Sequence, residues 1–335
     1  MIKMELNEVI DKRRSIRKYI NKKISKEVVE CLIDNARLAP SAKNRQPWNF
    51  VVVQDTIKNK IIPVTDDILH ISDFTIKKFS HFGDSGDLYL ATNKRNSNEK
   101  YILKHEYYDS ACNEYMYSKI GNKMGISIAP VKLFILDDKE DKFKSDFVCG
   151  IQYLEGCEHI NFDYVCKNKD NIDNWQDYFK MICLEILFDE SDGVEIVKYG
   201  HKIYRIDTTA SFTISDFFLH SLAYDYEKNG INIREFANKT ILKMAERNTA
   251  LRLPRWKDDV DNILERYGKE YLPYYLEPYR LLEKVTEKDI KEWCSILTIF
   301  YPDIIGDYYQ KYFNNLKLDV QEFLAQMEKQ VLVTA

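Results

Sequence analysis

The stretch Leu184–Phe212 reads LEILFDESDGVEIVKYGHKIYRIDTTASF, and its reading decides the fold. Val194, Ile196 and Val197, then a Tyr-Gly-His-Lys turn, then Ile203, Tyr204 and Ile206 predict two short strands joined by a tight connection. Asp189 precedes this hairpin and Asp207 closes it, so folding the ribbon back can bring two carboxylates to one rim. Two acids so placed suit phosphoryl transfer, one to orient an attacking hydroxyl and accept its proton and the other to hold Mg²⁺ against phosphates. Turn chemistry and capping are the plainer use of an Asp at each end of a hairpin, so the flanking sequence has to decide.

Upstream, FTIKKF (74–79), DLYLATNK (87–94) and KYILKHEY (100–107) read as three strands. Gly83, Ser85 and Gly86 fall in the first turn, where glycines let a backbone approach phosphates closely. Lys104 ends the third strand. A helix from about Ser110 to Lys123 carries Glu114 in its first turns, with Asp109 or Ser110 as cap. A strand Lys facing a helical Glu is an arrangement that positions ATP phosphates, whereas a surface Lys and a solvated Glu are the alternative. GISIAPVKLFIL (125–136) then gives a helix stop and a strand, and FVCGIQYLEG (147–156) gives a strand leading to a hinge at Gln152 to Leu154.

Residues 74–220, on the run from Lys100 to Ile135 and on FVCGIQYLEG, resemble the atypical kinases of the HipA type and their phosphoinositide-kinase-like relatives. The resemblance implies an α+β, bilobal protein-kinase-like domain with a β-rich N-lobe (65–155) and a helical C-lobe (156–335). It places ATP between Gly83, Ser85, Gly86 and Lys104, with adenine near Gln152 and Leu154. Asp189 and Asp207 take the catalytic and Mg²⁺-binding positions. The Asn expected five residues after the catalytic Asp is Val194 here, and the usual Arg-His is Glu190-Ser191. Either Glu195 or Asp192 then supplies the missing metal ligand, or the domain binds nucleotide without turnover.

Toward the N-terminus, residues 4–12 and 26–38 show helical spacing, separated by RRSIRKY (13–19) and followed by APSAKNRQPWNF (39–50) and a strand-like FVVVQD (50–55). This block resembles the N-terminal part of the FMN-dependent nitroreductases, which implies an α/β segment over 1–58. In that likeness Arg13, Arg14, Ser15 and Arg17 lie near the FMN phosphate and ribityl chain, and Ser41, Asn44 and Gln46 near the ribityl or isoalloxazine. Guanidinium groups and side-chain amides suit those polar edges. The matching motifs end near Asp55, and an FMN oxidoreductase is the alternative to the phosphotransferase.

Beyond Phe212 helical spacing recurs over 214–226, 233–247, 260–267, 287–300 and 308–330, and the tyrosines of YLPYYLEPY (271–279) read as packing. Residues 56–72 read as a connection. A net charge of −4 offers no general attraction to nucleic acid or anionic lipid. The seven cysteines form no ligand pattern and read as reduced core thiols. No apolar run nears the roughly 18 residues of a membrane span, and the expectation is a cytoplasmic protein. Its partners would be a nucleotide and a hydroxyl acceptor, protein or small molecule.

Overall fold

The computed structural model describes residues 25–37, 65–79, 88–104, 108–136, 147–190, 193–209, 211–212, 245–300 and 303–334. The chain divides into two compact units, Met1–Ile62 and Pro63–Ala335. In the first, Lys26–Arg37 (α1) is helical, with an acid in its first turn and an arginine in its last, as the helix dipole favours. Of the sequence expectations, Gly83, Ser85, Gly86, Asp192, the helix over 214–226, the helix over 233–247 up to residue 244, and every residue assigned to FMN lie outside the described residues, and residues 245–247 are not helical.

The second unit opens on a six-stranded sheet ordered β1-β5-β6-β4-β3-β2, formed by Ile68–His70 (β1), Phe74–Phe79 (β2), Leu88–Asn93 (β3), Lys100–Lys104 (β4), Val131–Ile135 (β5) and Phe147–Gln152 (β6). β1 runs parallel to β5, and the remaining pairs are antiparallel. The segment 56–72, expected to be only a connection, thus contributes an edge strand followed by a 3₁₀ turn at Ile71–Asp73. Period-two alternation gives the sheet two faces. One buries Ile71, Phe74, Tyr89, Tyr101, Leu103 and Phe134, with Phe74 and Tyr101 edge-on to Phe134 at 5.0 and 5.3 Å. Gly150 is needed there, because a Cβ would meet the Phe134 ring at 2.4 Å.

The helix Tyr108–Met124 (α2) packs against β5 and β6. It starts earlier than expected, so Asp109 and Ser110 lie inside it and do not occupy the cap position. Cys112, Asn113, Glu114, Tyr115, Met116, Tyr117, Ser118 and Ile120 are all buried, so the middle of the helix is enclosed and Glu114 is no solvated residue. Asp67, just before β1, accepts from Tyr115 Oη at 3.0 Å and pairs with Lys119, which ties the edge strand to this helix.

The remaining strands, Glu158–His159 (β7), Glu195–Tyr199 (β8) and Lys202–Ile206 (β9), make a second sheet, with Gly200 at φ +60° in the expected turn. Helices follow at Phe162–Lys167 (α3), Asp177–Leu187 (α4), Thr249–Tyr267 (α5), Leu272–Leu281 (α6), Glu287–Phe300 (α7) and Asp303–Thr334 (α8). Tyr271, Tyr275 and Tyr279 are buried as packing residues. The architecture is α+β, a sheet region followed by a helical C-terminal part. Among the described residues no helix is long and apolar enough to cross a membrane.

Candidate functional site

Leu103 points into the aromatic face of the sheet, so Lys104, the next residue of β4, points to the face covered by α2. There its Nζ donates to Glu114 Oε1 at 2.5 Å and to Asp207 Oδ1 at 2.7 Å. The three groups come from a strand, a helix and the end of the β8–β9 hairpin. The Lys104 and Glu114 side chains are 9% and 1% exposed, whereas that of Asp207 is 44% exposed. The ammonium is therefore shielded on one side and reaches a solvent-open carboxylate on the other.

The turn bearing Asp207 is held from several directions. Thr208 N–H donates to Glu114 Oε1 at 3.4 Å, and Thr209 Oγ1 donates to Asp207 Oδ1 at 3.2 Å. Asn113, beside Glu114 on α2, donates its amide to Thr209 O at 2.7 Å and accepts from Tyr309 Oη at 2.6 Å. Asp207 has φ +53°, a left-handed backbone that few non-glycine residues adopt and that these bonds maintain. Electrostatics separate the two acids. Burial drives Glu114 upward and outweighs the lowering by Lys104. Burial also acts to raise Asp207, but the charge and hydrogen bond of Lys104 and the Thr209 hydroxyl overcome it and leave the carboxyl below its usual range.

Asp189 has different company. Its Oδ2 accepts from Arg252 Nη2 at 3.2 Å and Tyr312 Oη at 2.9 Å, and its Oδ1 from Arg255 Nη1 at 3.2 Å. It too has φ +53°. Helices α5 and α8 thus orient the Asp189 carboxylate, while β4 and α2 orient Asp207. The two segments meet one step away: Phe212 N–H donates to Phe188 O, and buried Arg205 pairs with buried Glu190 at 3.4 Å.

Of the residues expected from sequence, the structure brings Lys104, Glu114 and Asp207 into contact and places Asp189 in the neighbouring arginine cluster. Glu195 is exposed at the start of β8. Gln152 and Leu154 line a cavity of about 450 Å³ with Ser127, Ile128, Tyr199 and Lys202; Lys104 and Asp207 do not line it. Among the described residues no group of three or more His, Cys, Asp or Glu is gathered as for a metal ion. Sequence reasoning missed Asn113, Arg205, Arg252, Arg255 and Tyr312. Arg205 left one signal, a charge sharing a strand face with Ile203, whereas the others meet the site only through tertiary folding.

Residues 10–84 match the profile of the nitroreductase family. A protein of Archaeoglobus fulgidus named as an NADH dehydrogenase/NAD(P)H nitroreductase is 51% identical over 51 residues, which are 15% of this chain and 29% of that protein. A protein of the same name from Methanothermobacter thermautotrophicus is 39% identical over 61 residues, covering 18% of this chain and 32% of the relative. Human iodotyrosine deiodinase 1 is 39% identical over 64 residues, 19% of this chain and 22% of the relative. The chain thus spans a third or less of these curated relatives. Among solved structures, the Helicobacter pylori proinflammatory kinase CtkA aligns at a TM-score of 0.45 and 12% identity, covering 76% of this chain and 96% of that one. That likeness is too loose to fix the fold.

Proposed function

We propose that the unit Pro63–Ala335 binds a nucleoside triphosphate and transfers its terminal phosphoryl group to a hydroxyl acceptor. The observation that carries this reading is Lys104 held between buried Glu114 and half-exposed Asp207. A lysine enclosed by two acids keeps its charge and fixed position, which is what a phosphate-binding cation needs. The donor set also suits Mg²⁺: Asp207 is an ionised carboxylate at the solvent-open edge, and among the described residues only its Oδ1 is engaged in hydrogen bonds. When bound, Mg²⁺ would neutralise charge on the phosphate oxygens. Asp189 accepts the acceptor's hydroxyl proton as the new oxygen–phosphorus bond forms and the bond to the departing diphosphate breaks. Binding of Mg-ATP by calorimetry tests the proposal: wild type binds, Lys104→Met and Asp207→Asn weaken binding, and Asp189→Asn leaves it largely intact. Absence of binding by wild type at millimolar nucleotide removes the reading.

A second reading has its own support, and it is the one the comparisons favour. The family match over residues 10–84 points to FMN as the ligand of the N-terminal segment, and no comparison speaks for ATP or Mg²⁺. The protein as purified should then carry flavin absorbance or quench the fluorescence of added FMN. Protein that takes up no FMN at micromolar concentration leaves the segment without this role.

A further inference from the structure

The two oxygens of Asp189 are held unequally. Oδ2 accepts from Tyr312, which is almost wholly buried, and from Arg252, whose other nitrogen donates to buried Asp319 at 3.2 Å. Among the described residues Oδ1 accepts from Arg255 alone, and the Arg255 side chain is 47% exposed. Arg252 and Tyr312 are locked by packing and by their second partners, so the Oδ2 side is fixed. Arg255 has one hydrogen bond among the described residues and water on its other side, so it is the member of the cluster that can leave at small cost. Asp259, one turn further along α5, and Glu185 on α4 lie within its electrostatic reach.

Resting on the phosphotransferase reading, Asp189 takes a hydroxyl proton best at an oxygen that no guanidinium holds, and among the described residues Oδ1 is the one whose guanidinium can leave without breaking a buried bond. We infer that Arg255 is a gate on Asp189 Oδ1, opened by a negative charge that the acceptor carries beside its hydroxyl. A guanidinium that leaves one carboxylate is best satisfied by another anion, a carboxylate or phosphate. The acceptor class is therefore an anionic alcohol. Arg255 then acts as a specificity-determining residue. It moves from Asp189 to the acceptor, the carboxylate it vacates takes the hydroxyl proton, and the hydroxyl oxygen bonds to phosphorus as the diphosphate leaves.

The test begins without nucleotide. A fluorescein-labelled serine peptide flanked by glutamates and its glutamine-flanked twin are titrated into the full chain, with glycerol 3-phosphate and glycerol as competitors. Wild type should bind the acidic twin about tenfold more tightly, or be competed selectively by glycerol 3-phosphate. Arg255→Gln should reduce either preference to about twofold or less, and Arg255→Lys should keep part of it. Preference in the peptide pair assigns a protein acceptor; selective competition alone assigns a small phosphorylated one. In a second arm, Mg-ATP hydrolysis to water should rise about three- to tenfold in Arg255→Gln at unchanged KM for ATP, and fall below wild type when Asp189→Asn is added. No charge preference in wild type, or a preference surviving in Arg255→Gln, overturns the acceptor class. Hydrolysis unchanged or lowered in Arg255→Gln overturns the gate. A wild type that neither binds nor hydrolyses Mg-ATP removes the phosphotransferase reading, while the peptide arm still decides what Arg255 recognises.

Discussion

Arg205 and Glu190 form an ion pair at 3.4 Å with no exposed surface on either side chain, one residue after Asp189 and two before Asp207. Arg205 Nη2 also donates to Gly193 O at 2.9 Å, and the Ser211 hydroxyl lies within hydrogen-bond reach of both Glu190 Oε2 and Thr208 O, to either of which its one proton can go. The pair therefore fastens the chain leaving one acid to the chain entering the other. Among the described residues Arg205 Nε and Nη1 meet no hydrogen-bond partner, so desolvation offsets much of the attraction. Removing one partner should still be costly, because it leaves a buried charge uncompensated. Arg205→Met is expected to lose about 3–5 kcal/mol of unfolding free energy, and Arg205→Met with Glu190→Met to recover most of it. Chemical denaturation of the two variants measures this. A loss in the single variant that the double variant does not relieve would place the cost in packing against Tyr117 and not in charge.

Lys104 and Glu114 make stability depend on pH in a defined direction. Burial raises Glu114 above its ordinary value of 4.5, so the folded protein holds that proton to higher pH than the unfolded chain does. Its contribution is fully present below the unfolded value and is lost as pH rises toward the folded one. Lys104→Met removes the counter-charge and should enlarge that loss. Unfolding free energies at pH 5 and pH 8 should therefore diverge more in Lys104→Met than in wild type, and adding Glu114→Gln should abolish the extra divergence. Equal pH slopes in all three proteins would mean that Glu114 does not titrate in this range.

Thr286 and Asp289 cap α7 reciprocally. Asp289 N–H donates to Thr286 Oγ1 at 3.2 Å, and Asp289 Oδ2 accepts from Thr286 N–H at 2.8 Å. The other carboxylate oxygen pairs with Lys123 at the end of α2. Slight burial pushes Asp289 up, but the Thr286 hydroxyl and amide and the Lys123 ammonium outweigh it and hold the carboxyl at about 2. The folded value is depressed, so this stabilisation is present above the unfolded value and lost as pH falls through the folded one. Asp289→Ala should cost about 0.5–2 kcal/mol at neutral pH. The difference from wild type should shrink between pH 4 and pH 2 in thermal or urea unfolding; a constant difference would assign the effect to packing.

What the sequence disclosed and what it withheld divide along the range of the interactions. The β8–β9 hairpin is local: alternating apolar residues around Gly200 report it directly. Lys104 followed by a helix with Glu114 is nearly local, ten residues apart, and their contact could be anticipated from element order. β1 is three residues long, too short for any period to register, and its partner strand lies more than sixty residues away. The α4 sequence, DYFKMICLEIL, is buried over most of its surface, so it lacks the polar stripe by which a helix is recognised. The arginines and tyrosine around Asp189 come from α5 and α8, and no spacing rule connects positions 189, 252, 255 and 312. At the N-terminus the legible signal was a family motif, which does not depend on pairing at all.

Val194 offers the most direct test of the metal reading. The last pair of the β8–β9 ladder is Glu195 with Ile206, and continuing that register by one step would set position 194 against Asp207. Gly193 O is fixed by Arg205, which sets where that step begins. Residues directly opposite in an antiparallel pair have Cβ atoms about 4.5–5.5 Å apart, close enough for two short oxygen-bearing side chains to share a cation. Val194 is only partly buried, so replacing its methyls with an amide should cost little stability. Val194→Asn should therefore strengthen Mg²⁺-dependent binding of ATP by about three- to tenfold, because a second hard oxygen ligand adds to Asp207. Calorimetric titrations of nucleotide at fixed and varied Mg²⁺ give that comparison, with Asp207→Asn in the Val194→Asn background as the control that should return binding to the weak level. If Val194→Asn binds Mg-ATP no better than wild type while its melting temperature is unchanged, Asp207 is not a metal ligand in this register. Its pairing with Lys104 would then be a structural contact that closes the hairpin onto the sheet.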